Sequence, residues 1–159
     1  MSEIVAYHEA GHALVAYLLG GRVRHVTIEP DHDDGPHRDG DTQVIWRRPS
    51  LSDKEFARKS VHVHLAGPVA EMIYSGEPYH PAFVAAWSAD WDGAYAAAAL
   101  LHANPQRRLK YLNHVSELLH QQLQADEIWM AVAALADSLL AHETLEQEQV
   151  EEVLQELLG

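Results

Sequence analysis

The sequence contains no cysteine. That excludes disulfide frameworks, cysteine-based zinc fingers, iron–sulfur clusters and thiol nucleophiles together. Basic residues are scarce, with 11 Lys+Arg against 24 Asp+Glu and a formal net charge of −13. A chain this acidic repels phosphate backbones and anionic lipid, which argues against nucleic acid or polybasic membrane docking. No stretch approaches the ~18–20 consecutive apolar residues of a membrane span. There is no G-x-x-x-x-G-K-[ST] phosphate loop, so ATP cannot be held by that route. The apolar N-terminus, MSEIVAYHEAGHALVAYLLGG, lacks a basic n-region and is interrupted by two His and a Glu, so it does not read as a signal peptide. The expectation from these absences is a cytoplasmic protein.

What is present fits one domain, residues 1–159, since 47% hydrophobic and 22% charged residues suffice for a packed core. Twelve histidines are the anomaly of the composition and direct attention to metals. Residues 3–19 read as a central, buried helix stopped by Gly20-Gly21, because Ile4, Val5, Tyr7, Leu14, Val15, Leu18 and Leu19 leave almost no polar face. VRHVTIE (23–29) and TQVIW (42–46) read as strands flanking the loop PDHDDGPHRDGD (30–41). A helix opens at Ser52, with Glu55 as capping partner, and is expected to break at Gly67-Pro68 before resuming. After the loop at 76–83, helices are expected over 88–103, 106–123 and 125–142, and a last one opened by Thr144 with Gln147. The fold class is therefore mainly α (α+β), with a small two- or three-stranded sheet.

His8-Glu9-Ala10-Gly11-His12 is an H-E-x-x-H motif inside the first helix. Spacing i, i+4 puts both imidazoles on one face, where two nitrogens can meet one Zn²⁺, and Glu9 projects beside them. Such short patterns also arise by chance. Here, however, the motif lies on an otherwise apolar helix, where three unpaired ionisable groups would be costly to bury. Gly11 in a helix interior also points to something approaching closely there. A hydrolytic zinc site needs a third protein ligand. Glu71, Asp90 and Asp92 are carboxylates embedded in apolar helical segments, and residue physics alone does not choose among them.

AYHEAGHALVA (6–16), LAGPVAEMIYSG (65–76), SADWDGAYAAAALL (88–101) and ALADSLLAHETLEQEQVEEVL (134–154) resemble, in order and spacing, the peptidase domain of FtsH-type ATP-dependent zinc metalloproteases. The resemblance implies that the third ligand is an Asp in a G-A-S-N-D-like segment opening a helix, and assigns that role to Asp92. It implies a supporting place for Glu71, outside the ligand set, with Pro68 and Met72 departing from the family's Gly-Arg-x-A-E-E block. Asp90 is then expected to cap its helix. Gly40-Asp41-Thr42 keeps part of the family's Gly-Tyr/Phe-Thr strand, and no ATPase module precedes the catalytic helix. The expectation is a stand-alone relative.

Other features read more plainly. His32, Asp33, Asp34, His37, Asp39 and Asp41 form a solvated acidic loop in preference to a second metal site. His62 and His64 face different ways, and one of them is a core or supporting histidine. Trp87 and Trp91 flank Asp90 and either wall the pocket or pack in the core. The reading is thus a zinc-dependent peptidase, an endopeptidase: His8, His12 and Asp92 hold Zn²⁺, Glu9 is the general base, and Thr42, Gln43 and Val44 offer an edge strand to an extended peptide. Expected partners are a peptide or unfolded-protein substrate and a separate ATPase or unfoldase subunit, with the oligomeric state open. The rival is a non-proteolytic binding or regulatory module that keeps the metal.

Overall fold

In a computed structural model the described residues are 2–30, 39–77 and 80–159. The first helix, α1 (Ser2–Leu18), is the one the rest is built around, with Ala6 and Glu9–Ala16 buried. It ends as expected: Gly20 takes φ 89° and the Gly21 amide bonds back to the Ala16 carbonyl at 2.8 Å. That is the glycine-dependent closure of a helix end, and Lys59 Nζ adds a bond to the Leu19 carbonyl.

Two strands follow, β1 (Arg22–Thr27) and β2 (Asp41–Ile45), paired antiparallel. The register shifts between Val23 and His25, and this bulge puts Val23 and Val26 on the same buried face although they lie three apart. A third strand, β3 (Thr144–Glu146), pairs antiparallel on the other side of β1, so the order is β2-β1-β3 and β2 is an edge. Thr144 therefore does not open the last helix. Leu145 is drawn into the core opposite Val26, and the cap moves to Glu146, which with Gln149 forms the capping box of α6 (Gln147–Leu158).

The second helix, α2 (Asp53–Ser75), is capped by Ser52, whose hydroxyl accepts from the Glu55 amide. The expected break at Gly67-Pro68 does not occur. Pro68 removes one amide donor, but Leu65 and Ala66 before it and Val69 and Ala70 after it are fully buried, and this packing keeps the helix whole. Gly11 explains why. A Cβ there would stand 2.6 Å from Ala70 Cβ and 2.7 Å from the Ala66 carbonyl oxygen, so α1 and α2 cross at backbone contact.

The remaining helices are α3 (Ser88–Ala98), α4 (Pro105–Leu123) and α5 (Asp126–His142). α3 is shorter than its apolar run because its end tightens into i→i+3 bonds at Ala99, Leu100 and Leu101. α4 is capped by Asn104, which accepts from the Gln106 and Arg107 amides, and buries Leu112, Val115, Leu119 and Leu123 on one stripe. α1 packs against α2 and α5 and under the sheet, while α2 carries α3 and α4 on its other sides. The fold is mainly helical with a three-stranded antiparallel sheet. Among the described residues no helix is long and apolar enough to cross a membrane.

Candidate metal centre

His8 and His12 lie one turn apart on α1, with ring centroids 4.8 Å apart. The carboxylate that meets them comes from the first turn of α3. Asp90 Oδ2 is 2.9 Å from His8 Nε2, and Asp90 Oδ1 is 3.3 Å from His12 Nε2. The three residues bring one ligand atom each within 4.8 Å of one another. Asp92 is exposed. Two residues further along a helix is about 200° round its axis, so only one of the two aspartates can face α1. The geometry places Asp90, and not the expected Asp92, with the histidines. Asp90 also does not cap its helix: the residue before α3 is Trp87, with no side-chain cap.

The far side of each imidazole is held. His8 Nδ1 lies 3.1 Å from Glu71 Oε1, and His12 Nδ1–H donates to the Val63 carbonyl at 2.6 Å. A carbonyl can only accept, so His12 carries its proton on Nδ1 and turns Nε2 inward. Val63, Gly67 and Glu71 are spaced i, i+4, i+8 on α2 and form the stripe that supports both rings. Gly67 is obligatory there, because a Cβ would collide with the His12 imidazole. This arrangement of inward nitrogens fixed by outer hydrogen bonds is what a histidine-bound metal requires.

The same contacts set the charges. Burial disfavours a charged His8, but hydrogen bonds to Asp90 and Glu71 outweigh it and raise its pKa to about 10. His12 is likewise buried, and the charge of Asp90 beside it raises its pKa. Asp90 pays a desolvation penalty that the two histidines overcome, so its carboxyl lies well below the usual range. Without metal, the cluster is an aspartate shared by two imidazoles, both of whose pKa values it raises. Two inward nitrogens and a carboxylate suit a borderline divalent ion such as Zn²⁺, which would replace protons bound there.

Glu9 stands beside this cluster, 6% exposed, and is not part of it. Thr42 Oγ1 donates to Glu9 Oε1 at 2.7 Å. The carboxylate opens on a cavity of about 550 Å³ walled by α1, by 39–42, by Val63, His64 and Glu71 of α2, and by residues 85–90. Of the strand residues expected to meet a peptide, Thr42 lines this cavity. Gln43 is exposed and bonds Asp41, and Val44 packs towards the core. Trp87 lines the cavity and is buried, whereas Trp91 packs on the core and against His80. His62 is tied to its own helix at the Arg58 carbonyl, and His64 faces the cavity. Asp39 and Asp41 also line it; residues 31–38, which hold the rest of the acidic loop, lie outside the described residues.

The Val63 carbonyl was not legible as a site group, since it belongs to no ligand pattern, and Thr42 was expected on the edge strand but not as the hydroxyl partner of Glu9. Asp90 was legible: Ser88-Ala89-Asp90 matches the S-N-D end of the family segment.

A helix-borne His pair and an acidic third donor form a group that could hold a metal ion, with a further carboxylate beside it. Comparison with known proteins agrees. A family profile described as Peptidase M50B-like matches residues 3–44. The chain is 45% identical over 76 residues to the ATP-dependent zinc metalloprotease FtsH 4 of Sorangium cellulosum (strain So ce56), covering 45% of this chain and 11% of that one. It is 38% identical over 82 residues to the ATP-dependent zinc metalloprotease FtsH of Synechococcus sp. (strain JA-2-3B'a(2-13)), covering 47% and 12%. The chain is thus distantly related to zinc metalloproteases, and it spans about a ninth to an eighth of the length of these relatives.

Proposed function

We propose that this protein is a zinc-dependent peptidase that cleaves internal bonds of extended or unfolded chains. The observation that carries the reading is Glu9: a buried carboxylate, oriented by Thr42, beside the His8/His12/Asp90 cluster and open to a cavity. His8, His12 and Asp90 hold the ion, Glu71 and the Val63 carbonyl keep the imidazoles aimed, and Asp92 has no part. Bound zinc supplies Lewis acidity, lowering the pKa of water and polarising a carbonyl. Glu9 takes the proton of the attacking water and hands it to the leaving amine. β2, an edge strand that carries Thr42, gives an extended peptide a backbone to pair with. The protein's partners in this reading are a peptide or unfolded-protein substrate and an ATPase or unfoldase that opens folded ones.

The test is Glu9→Gln. It retains one zinc per chain by elemental analysis and loses chelator-sensitive cleavage of an unfolded casein-type substrate. Zinc binding without cleavage by the parent protein would leave a binding module instead.

A further inference from the structure

α2 turns four groups towards the centre, and three are accounted for: the Val63 carbonyl, Gly67 and Glu71. The fourth is His64. Its imidazole lines the same cavity as His8, Glu9, His12 and Asp90, yet it stands outside the group of converging ligand atoms. Among the described residues neither of its ring nitrogens has a hydrogen-bond partner. Burial, reinforced by the positive charge at His12 and opposed by Asp90, lowers its pKa and keeps the ring neutral.

The ring is also seated. It rests against Gly93 of α3, where a Cβ would stand 2.6 Å from His64 Cε1. Glycine inside a helix costs about 1 kcal/mol relative to Ala, and here it admits an imidazole against the helix that carries Asp90. The ring is part-buried on the cavity wall, with neither nitrogen tied to another described residue, so its N–H is open to whatever enters the cavity. A fixed, neutral imidazole with an unengaged N–H on the wall of a hydrolytic cavity has what an oxyanion donor needs: it is preorganised, partly desolvated and uncharged before reaction.

We propose that His64 is a catalytic residue that donates a ring N–H to the carbonyl oxygen of the scissile bond as negative charge builds on it. No bond to His64 forms or breaks, and proton movement stays with Glu9. The assignment rests on the peptidase reading and gives the site a second electrophilic group.

The experiment uses the zinc-loaded full chain and a fluorogenic unfolded peptide, with Glu9→Gln as the inactive baseline. His64→Phe lowers kcat by about 10²-fold, the usual effect of losing one oxyanion donor, and leaves KM within about threefold. It keeps one zinc per chain. A phosphinic peptide isostere binds the variant less tightly by a larger factor than the substrate does. His64→Gln, which restores an N–H, recovers at least about tenfold of the loss, and His64→Leu, less bulky than Phe, repeats the loss if Phe disturbs folding. Unchanged kcat in His64→Phe and His64→Leu overturns the assignment, as does loss of zinc from both. If the parent shows no chelator-sensitive cleavage, the peptidase reading falls and takes this one with it. If the parent cleaves and the His64 variants match it, this one falls alone.

Discussion

The carboxylates around the histidines can be separated by one series of zinc titrations. Asp90 sits between the two inward nitrogens at 2.9 and 3.3 Å, so Asp90→Ala removes both a ligand oxygen and the charge that offsets the ion. Glu71 touches only the outer nitrogen of His8, at 3.1 Å. Residues in that outer position typically cost 10–100-fold in metal affinity when mutated. Glu71→Gln should fall in that window, about 1.4–2.8 kcal/mol at 1.4 kcal/mol per tenfold. Loss of Asp90 must exceed it, and the expectation is about 10³-fold, or ~4 kcal/mol. Asp90→Asn, which keeps the shape and loses the charge, should fall between the two.

Asp92 is exposed on the opposite face of α3, so Asp92→Ala should stay within about ±0.5 kcal/mol, roughly twofold. The assay is competition against a chromophoric chelator at fixed pH, with circular dichroism confirming that each variant folds. An Asp92→Ala protein as impaired as Asp90→Ala, or an Asp90→Ala protein with parental affinity, would refute the geometry argued here.

Three further outcomes follow from the same contacts. In the chelator-treated protein the His8 pKa of about 10 lies above its ordinary 6.5, so its contribution to stability is complete below pH ~6.5 and is lost as pH rises through about 10. Thermal midpoints of that form should fall over this window, those of the zinc-loaded form should not, and zinc uptake at pH 7 should release about one proton or more in calorimetry across buffers of different ionisation enthalpy. Gly67→Ala drives a methyl into the His12 ring and should cost about 1–3 kcal/mol, a drop of several degrees in thermal midpoint, with weakened zinc binding; an unchanged midpoint would contradict the close approach. Thr42→Val frees the Glu9 carboxylate, and kcat should drop about tenfold, in line with the ~1.5–3 kcal/mol of a hydrogen bond to a charged group, while zinc stoichiometry is unchanged.

The parts of this site that lie within one helix were readable from spacing, whereas Asp90, which needs a second helix, was marked only by its match to the family segment. His8, Glu9 and His12 are fixed relative to each other by 3.6 residues per turn, so the motif alone predicts that they share a neighbourhood. The choice between Asp90 and Asp92 depends on the rotation of α3 about its axis, which is set by what α3 buries. Ala94 and Ala98 face inward with no exposure, and Asp90, one turn before Ala94, shares that face. Periodicity of small residues thus carried the answer, but Ala89, Ala96 and Ala97 also stand on α3, off the face that Ala94 and Ala98 share, so its inward face does not stand out in the sequence.

Pro68 and Thr144 show the complementary failure. A proline after glycine predicts a break from local preference, and a Thr three residues before Gln predicts a cap from local hydrogen bonding. Each lost to burial: Val69 and Ala70 hold α2 against α1, and Leu145 gains a place opposite Val26 that a capping turn would forfeit. The stretch that overrode its local signal at Pro68 is the stretch that supports the centre. Val63, Gly67 and Glu71 share one face only because α2 runs unbroken past the proline. A helix that stopped at Gly67 could brace His12, but it could not carry Glu71 to His8.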